Sequence, residues 1–262
     1  MMTIVDNGWR LGGASVRGPS HVRSGAPNQD AWLCVHDAPM VISVSDGHGA
    51  KAHFRSQRGA ELAVRAAAAS LQAQIDDSEG AELAGAALER WRADVQADIA
   101  ANPYSEAERA LLSAPPLGPY GATLLAAGIH GGLLALMQIG DGDLILGYPD
   151  GSLVRPLSGG PVLQGELTFS LCQEDALACF HSAVLWRNAD HPWPDFVFMA
   201  TDGVSKSFQD DRAFEAEVAR LRTFASTDWD RFLREAPDWL STVSSRGSGD
   251  DATMCVALRT AP

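Results

Sequence analysis

Helical periodicity comes in consecutive pairs in this chain, and strand-like stretches come in runs. That order excludes the strand–helix alternation of a doubly wound parallel sheet and points to an α+β fold. Ala31-Trp32-Leu33-Cys34-Val35 and Met40-Val41-Ile42-Ser43-Val44-Ser45 flank a His36-Asp37-Ala38-Pro39 turn and read as a hairpin. Ala60, Val64, Ala67, Ala68, Leu71 and Ile75 then share one helical face. After the breaker at 76–80, Leu83, Ala87, Trp91, Val95 and Ile99 share another. So short a connection makes the two helices antiparallel neighbours, and the Ala-rich first one suits close packing on a sheet.

Strand patterning returns over 122–129, 132–139, 143–148, 177–185 and 195–201. Gly131-Gly132, Asp141-Gly142, Asp150-Gly151 and Gly159-Gly160 punctuate these stretches and suit an antiparallel meander. Residues 212–224 and 228–243 read as a second helix pair, and 253–258 as a last strand. No internal repeat, low-complexity tract or linker divides the chain. Residues 1–262 are therefore expected to form a single domain, with Pro103 to Pro119 its loosest stretch.

Composition removes several function classes. A net charge of −13 argues against non-specific nucleic-acid binding, which wants basic patches. An apolar content of 46% is too high for a disordered chain. No run of about 18 apolar residues predicts a membrane helix. The start, Met1 to Gly8, lacks the basic and apolar regions of a signal peptide. Cys34, Cys172, Cys179 and Cys255 form no CxxC pair and read as buried free thiols. A cytoplasmic monomer is the expectation.

The acidic residues are 22 Asp against 11 Glu, and Asp prefers caps, turns and metal sites to helix interiors. Asp46 follows the apolar run Val41 to Val44, Asp202 follows Phe196 to Ala200, Asp141 follows Leu133 to Ile139, and Asp250-Asp251 precedes the final strand. Ordinary turns account for many such residues. An ionised carboxylate at the end of a buried strand is costly unless paired or metal-bound. Several converging there call for a hard divalent cation, Mg²⁺ or Mn²⁺.

Six pieces in order, Asn28-Gln29-Asp30-Ala31, Asp46-Gly47-His48-Gly49, Gly121-Ala122-Thr123, Gly140-Asp141-Gly142-Asp143, Ala200-Thr201-Asp202-Gly203-Val204 and Gly249-Asp250-Asp251-Ala252-Thr253, resemble the metal-dependent (type 2C) protein serine/threonine phosphatases. The chain is read as a divergent member. The resemblance covers about residues 12 to 259. It implies a four-layer αββα sandwich, two antiparallel β-sheets flanked by helix pairs, with two Mg²⁺ or Mn²⁺ ions between the sheets. By the same resemblance Asp46 bridges both metals, Gly47 offers its carbonyl, and Asp202 and Asp250 complete the other ion's shell. Asp250 is preferred to Asp251 because the family pattern places its Asp there. His48 matches the general acid that protonates the leaving seryl or threonyl oxygen. The nucleophile would be a metal-bridging hydroxide, and no GxSxG motif competes with it.

Three positions depart from the family pattern. Gln29 stands where many members have a Glu, which implies weaker holding of the second ion. Gly25 occupies the slot of the usual phosphate-binding Arg, leaving Arg23, or His21, to reach the phosphate from a shifted loop. Lys206 lies where some members carry an Asp for a third metal, and its ammonium is expected to pair with Asp141 instead. These departures keep two other readings open: a catalytically weak phosphoprotein-binding sandwich and a metal-dependent hydrolase of small phosphoesters. For the latter, specificity would lie in loops such as 156–176 and 186–194, and Trp186, Trp193 and Phe180 read as a substrate wall or, by preference, as core.

Overall fold

The computed structural model describes residues 8–112, 116–157, 168–189 and 192–260. Along the chain run β1 (Trp9–Val16), α1 (Pro19–Ser24), β2 (Ala31–Val35), β3 (Met40–Ser45), α2 (Ser56–Gln74), α3 (Gly80–Ala101) and α4 (Glu106–Arg109). Then follow β4 (Leu124–His130), β5 (Leu133–Ile139), β6 (Asp143–Gly147), β7 (Leu153–Val154), β8 (His181–Trp186) and β9 (Phe196–Ala200). The last elements are α5 (Asp202–Ser205), α6 (Asp211–Thr227), α7 (Trp229–Arg246) and β10 (Ala252–Arg259).

Two antiparallel sheets carry the architecture, ordered β1-β10-β9-β6-β7 and β2-β3-β4-β5-β8. Period-two alternation divides each strand between two cores. On β3 and β4, Ile42, Val44, Leu125 and Ala127 face inward, meeting Trp9, Leu11, Leu144, Val197, Met199 and Cys255 of the other sheet. Val41, Leu124 and Ala126 face outward onto α2 and α3, where Ala63, Ala67, Leu71 and Trp91 are buried. The outer face of the first sheet is covered likewise by Phe214, Val218, Phe232 and Leu240 of α6 and α7. The result is the expected helix–sheet–sheet–helix layering. All four cysteines are free, with Cys34 partly exposed and the others buried.

The structure corrects the reading in several places. Residues 122–148 are not one meander. β4 and β5 form a hairpin through the left-handed Gly131-Gly132 turn, but at Gly140, with φ 103°, the chain crosses to the other sheet and β6 pairs with β9. The stretch 177–185 is a strand only from His181, because Ala176–Cys179 is a 3₁₀ turn. Its buried Ala176 and Cys179 are spaced by three, which gave the stretch its apolar character. Strand β1 was hidden by its glycines. A Cβ on Gly12 would lie 2.4 Å from Leu233 on α7, and one on Gly13 2.7 Å from the Met254 carbonyl, so packing removed the side chains that carry alternation. Between Pro103 and Pro119 the chain forms α4, whose Glu108 pairs with Arg55. Trp186 is 64% exposed and not core. It pairs with Leu133, at the opposite end of β5 from Asp141. The Gly159-Gly160 turn and parts of the 156–176 and 186–194 loops lie outside the described residues.

Candidate metal centre

The expected metal ligands lie at one end of the sandwich and come from both sheets. Asp46 follows β3 of one sheet. Asp202 follows β9, and Asp250 precedes β10, in the other. Asp46 is fixed through its backbone: its N–H donates to Thr123 Oγ1 at 3.0 Å, and its carbonyl accepts from the Thr123 N–H at 2.8 Å. The Gly47 and His48 N–H groups donate to the Gln29 and Gly121 carbonyls at 3.2 and 3.0 Å. Gly47 has no room for a side chain, since a Cβ would lie 2.7 Å from the carbonyls of Gln29 and Ser56. The Gly121-Ala122-Thr123 motif is therefore the clamp that sets Asp46.

Electrostatics mark these groups as neighbours. The Asp46 carboxyl is pushed well above the usual carboxylate range by burial and by the charges of Asp30, Asp202 and Asp250. Burial and Asp141 also push up Asp202, and its Oδ1 is buried with no hydrogen-bond partner among the described residues. Asp30 stands in the quoted Asn28-Gln29-Asp30-Ala31 motif without a role assigned from sequence. It is buried, accepts from the Thr201 hydroxyl at 2.8 Å, and is pushed far up, mainly by that burial. The signal was available: like Asp250, it sits at the head of a strand.

Oxygen donors, mutual repulsion and an orphaned buried carboxylate oxygen fit a hard divalent cation. The residues are not drawn together equally. Among the described residues, the one group of three or more His, Cys, Asp or Glu donors with atoms all within 4.8 Å is His21, Asp250 and Asp251. Asp202 is engaged otherwise. The Lys206 ammonium bonds its Oδ2 and also reaches Asp141 Oδ2 at 3.1 Å. Burial opposes the Lys206 charge, but Asp202 and Asp141 outweigh it and push the ammonium pKa up. Burial likewise opposes ionisation of Asp141, yet Thr168 and Lys206 outweigh it and lower its pKa. The sequence expectation of a Lys206–Asp141 pair matches this geometry.

The two adjacent carboxylates at 250 and 251 separate cleanly. Asp251 is buried and saturated: Oδ1 accepts from the Gly18 N–H at 2.7 Å, and Oδ2 from the Gln29 N–H at 2.6 Å and His21 Nδ1 at 2.7 Å. The Asp250 side chain is 53% exposed and retains free lone pairs. This is the division expected if the first of the pair faces the ion.

His48 is partly buried beside His53, with ring centroids 4.9 Å apart. Burial, then the charge of His53, pulls its pKa down to about 4. Gln29 donates to Ser56 Oγ at 2.8 Å, and its Oε1 has no partner among the described residues. Arg23 is exposed on α1, its guanidinium 3.0 Å from Ser20 Oγ, and among the described residues no hydrogen bond ties it to the carboxylates. Gly25 ends α1 in the left-handed conformation, φ 78°, which explains why no long side chain stands there.

Comparison with known proteins places the fold. The family model described as "Protein phosphatase 2C" matches residues 17–241. The fold resembles the catalytic domain of the serine/threonine protein phosphatase PstP in complex with two manganese ions, at 19% identity and TM-score 0.60, covering 97% of this chain and 99% of that one. It also resembles PppA of Pseudomonas aeruginosa, described as a key regulatory component of T6SS, at 19% identity and TM-score 0.63, covering 96% and 98%. A third is the S. agalactiae serine/threonine phosphatase, at 15% identity and TM-score 0.62, covering 96% and 100%. A search of the curated proteins gives no match. The chain belongs to the protein phosphatase 2C family, and is thus a metal-dependent phosphoprotein phosphatase.

Proposed function

We propose that residues 1–262 act as one catalytic domain that hydrolyses phosphoserine and phosphothreonine in protein substrates, with two Mg²⁺ or Mn²⁺ ions held at the strand ends. The observation that carries this reading is the Asp46, Asp202 and Asp250 group. Burial and like charge penalise Asp46 and Asp202, and Asp202 leaves a buried oxygen without a partner. Asp46 and the Gly47 carbonyl would serve one or both ions, and Asp202 and Asp250 the other. When bound, such ions supply an activated water and clamp the phosphoryl oxygens.

The protein's own groups do the rest. Thr123 holds the Asp46 backbone in register, and Asp251 holds the loop that presents Asp250. His48 lies two residues past Asp46 and is assigned proton delivery to the leaving oxygen. With a pKa of about 4 it is neutral at pH 7, and a phosphate dianion is the charge that would draw a proton onto it. Arg23, on α1 two residues past His21, is the candidate to swing onto the phosphate from Ser20. No helix among the described residues is long and apolar enough to cross a membrane, and a cytoplasmic monomer acting on phosphoproteins is our reading.

The test is dephosphorylation of a phosphoserine or phosphothreonine peptide with Mn²⁺, using Asp46→Asn as control. Activity that survives Asp46→Asn would overturn the metal assignment. The Lys206 bond to Asp202 favours one second reading, a sandwich that binds phosphoproteins and turns them over weakly. Peptide binding by folded protein without turnover under Mg²⁺ or Mn²⁺ would favour it.

A further inference from the structure

The geometry points to His21 as a nitrogen ligand for a divalent cation at the Asp250 end of the site, oriented by Asp251. This inference rests on the reading of Asp250 as a metal ligand. It departs from the all-oxygen set that the strand-end carboxylates provide.

The argument starts from Asp251. Its carboxylate is buried and accepts from two backbone N–H groups, those of Gly18 and Gln29, so its position is fixed by α1's approach and by the start of β2. An ionised carboxylate accepts and cannot donate. His21 Nδ1, 2.7 Å from Asp251 Oδ2, must therefore carry the hydrogen. In the neutral imidazole this leaves Nε2 bare, a lone pair with its direction set. That atom lies 3.9 Å from Asp250 Oδ1.

Two donors about 2.1–2.2 Å from one ion stand about 3–4 Å apart, so the separation suits a shared cation without rearrangement. Carboxylate, imidazole N–H and a bare nitrogen beside a second carboxylate form the arrangement that orients histidine ligands in metal sites. The placement depends on close packing. A Cβ on Gly18 would lie 2.2 Å from the Asp250 carbonyl carbon, so only glycine lets α1 come this near. The Ser20 N–H then bonds the Gly249 carbonyl at 2.9 Å and locks the two segments together.

The chemical consequence is selectivity. Carboxylate, carbonyl and water donors suit Mg²⁺, whereas imidazole shifts preference toward Mn²⁺ and later transition metals. It also compensates for Asp202, half of whose donor capacity is taken by Lys206.

The test uses the full chain loaded with Mn²⁺ and read by pulsed electron paramagnetic resonance, alongside Mn²⁺ and Mg²⁺ binding by calorimetry. Unlabelled protein should show a directly coupled ¹⁴N signal that changes to the ¹⁵N pattern on ¹⁵N-histidine labelling. His21→Gln should still bind Mn²⁺ but about 10-fold more weakly and without that coupling, with Mg²⁺ affinity changed far less. Mn²⁺ bound in an Asp46-dependent manner with no nitrogen coupling would overturn the inference and leave the phosphatase reading standing. Coupling that persists in His21→Gln would overturn it equally, assigning the nitrogen to His48 or His53. Failure of the wild-type chain to bind Mn²⁺ would sink both. The labelling arm needs no substitution, so it does not depend on the variant folding.

Discussion

Lys206 Nζ sits 3.1 Å from the Asp141 carboxylate while bonding Asp202, so one ammonium ties the β5–β6 crossing to the first turn of α5. It is one of only two lysines in the chain, the other being Lys51. Replacing it by Met removes the cation that competes for Asp202. Mn²⁺ affinity is expected to rise about 3- to 10-fold. Metal-free stability should fall by no more than about 1 kcal/mol, because the lysine side chain is 56% exposed. Lys206→Asp should go further and add a weak metal site. Equilibrium dialysis with Mn²⁺ checks both, and an unchanged stoichiometry would count against the third-site claim.

Asp30 and Asp46 give the metal-free protein a definite pH dependence. Both have folded-state pKa values raised well above those of the unfolded chain, chiefly by burial. The folded state therefore binds more protons than the unfolded one between the two values, and stability falls as pH rises through that window. His48, whose pKa is pulled down to about 4, contributes the opposite slope, so the contribution of the acids is read as a difference between proteins. In EDTA, the melting temperature of the wild type should fall relative to that of Asp30→Asn as pH rises through that window. Identical pH slopes in the two proteins would contradict the assignment.

Asp250 and Asp251 should behave oppositely despite adjacency. Asp251→Ala leaves the buried N–H groups of Gly18 and Gln29 without an acceptor, at a cost of about 3–5 kcal/mol. Asp250→Ala removes a half-exposed side chain and should cost less than about 1 kcal/mol while weakening divalent binding. Urea denaturation of both variants with and without Mn²⁺ separates the two effects.

Gly203→Ala tests the site without touching a donor. Its Cβ would fall 1.9 Å from the Asp251 carbonyl oxygen, so the loop carrying Asp250 must move. We expect about 1–3 kcal/mol of destabilisation together with loss of Mn²⁺-dependent turnover. Normal turnover would mean that this loop does not position a ligand.

The parts of this architecture that announced themselves were those whose side chains follow a period. α2 and α3 show their apolar faces plainly, and β3 is apolar except at Ser43 and Ser45 because it is covered on both sides. β1 escaped because Gly12 and Gly13 make room for α7 and Met254, and β6 read as a continuation of one meander because Gly140 turns the chain without changing its pattern. Asp46, Asp202 and Asp250 were visible as acids at strand ends, together with the family resemblance. The contribution of Asp251 and His21 was not, since their partnership with Gly18 and Gln29 joins segments more than 200 residues apart. Only tertiary structure reveals which of two neighbouring carboxylates is saturated.

The two sheets supply the carboxylates unequally, Asp46 from one and Asp202 with Asp250 from the other. A cation shared among them is a cross-brace between the layers as well as a reagent. At 100 times its dissociation constant such an ion would add about 2.7 kcal/mol to the folded state. The gain would be spent against sliding or parting of the layers, the motion that would first expose the amides at the end of β3 and the start of β10 to exchange with solvent. Loss of the metal would thus be felt as slackening of the whole sandwich at that end, before any helix lets go.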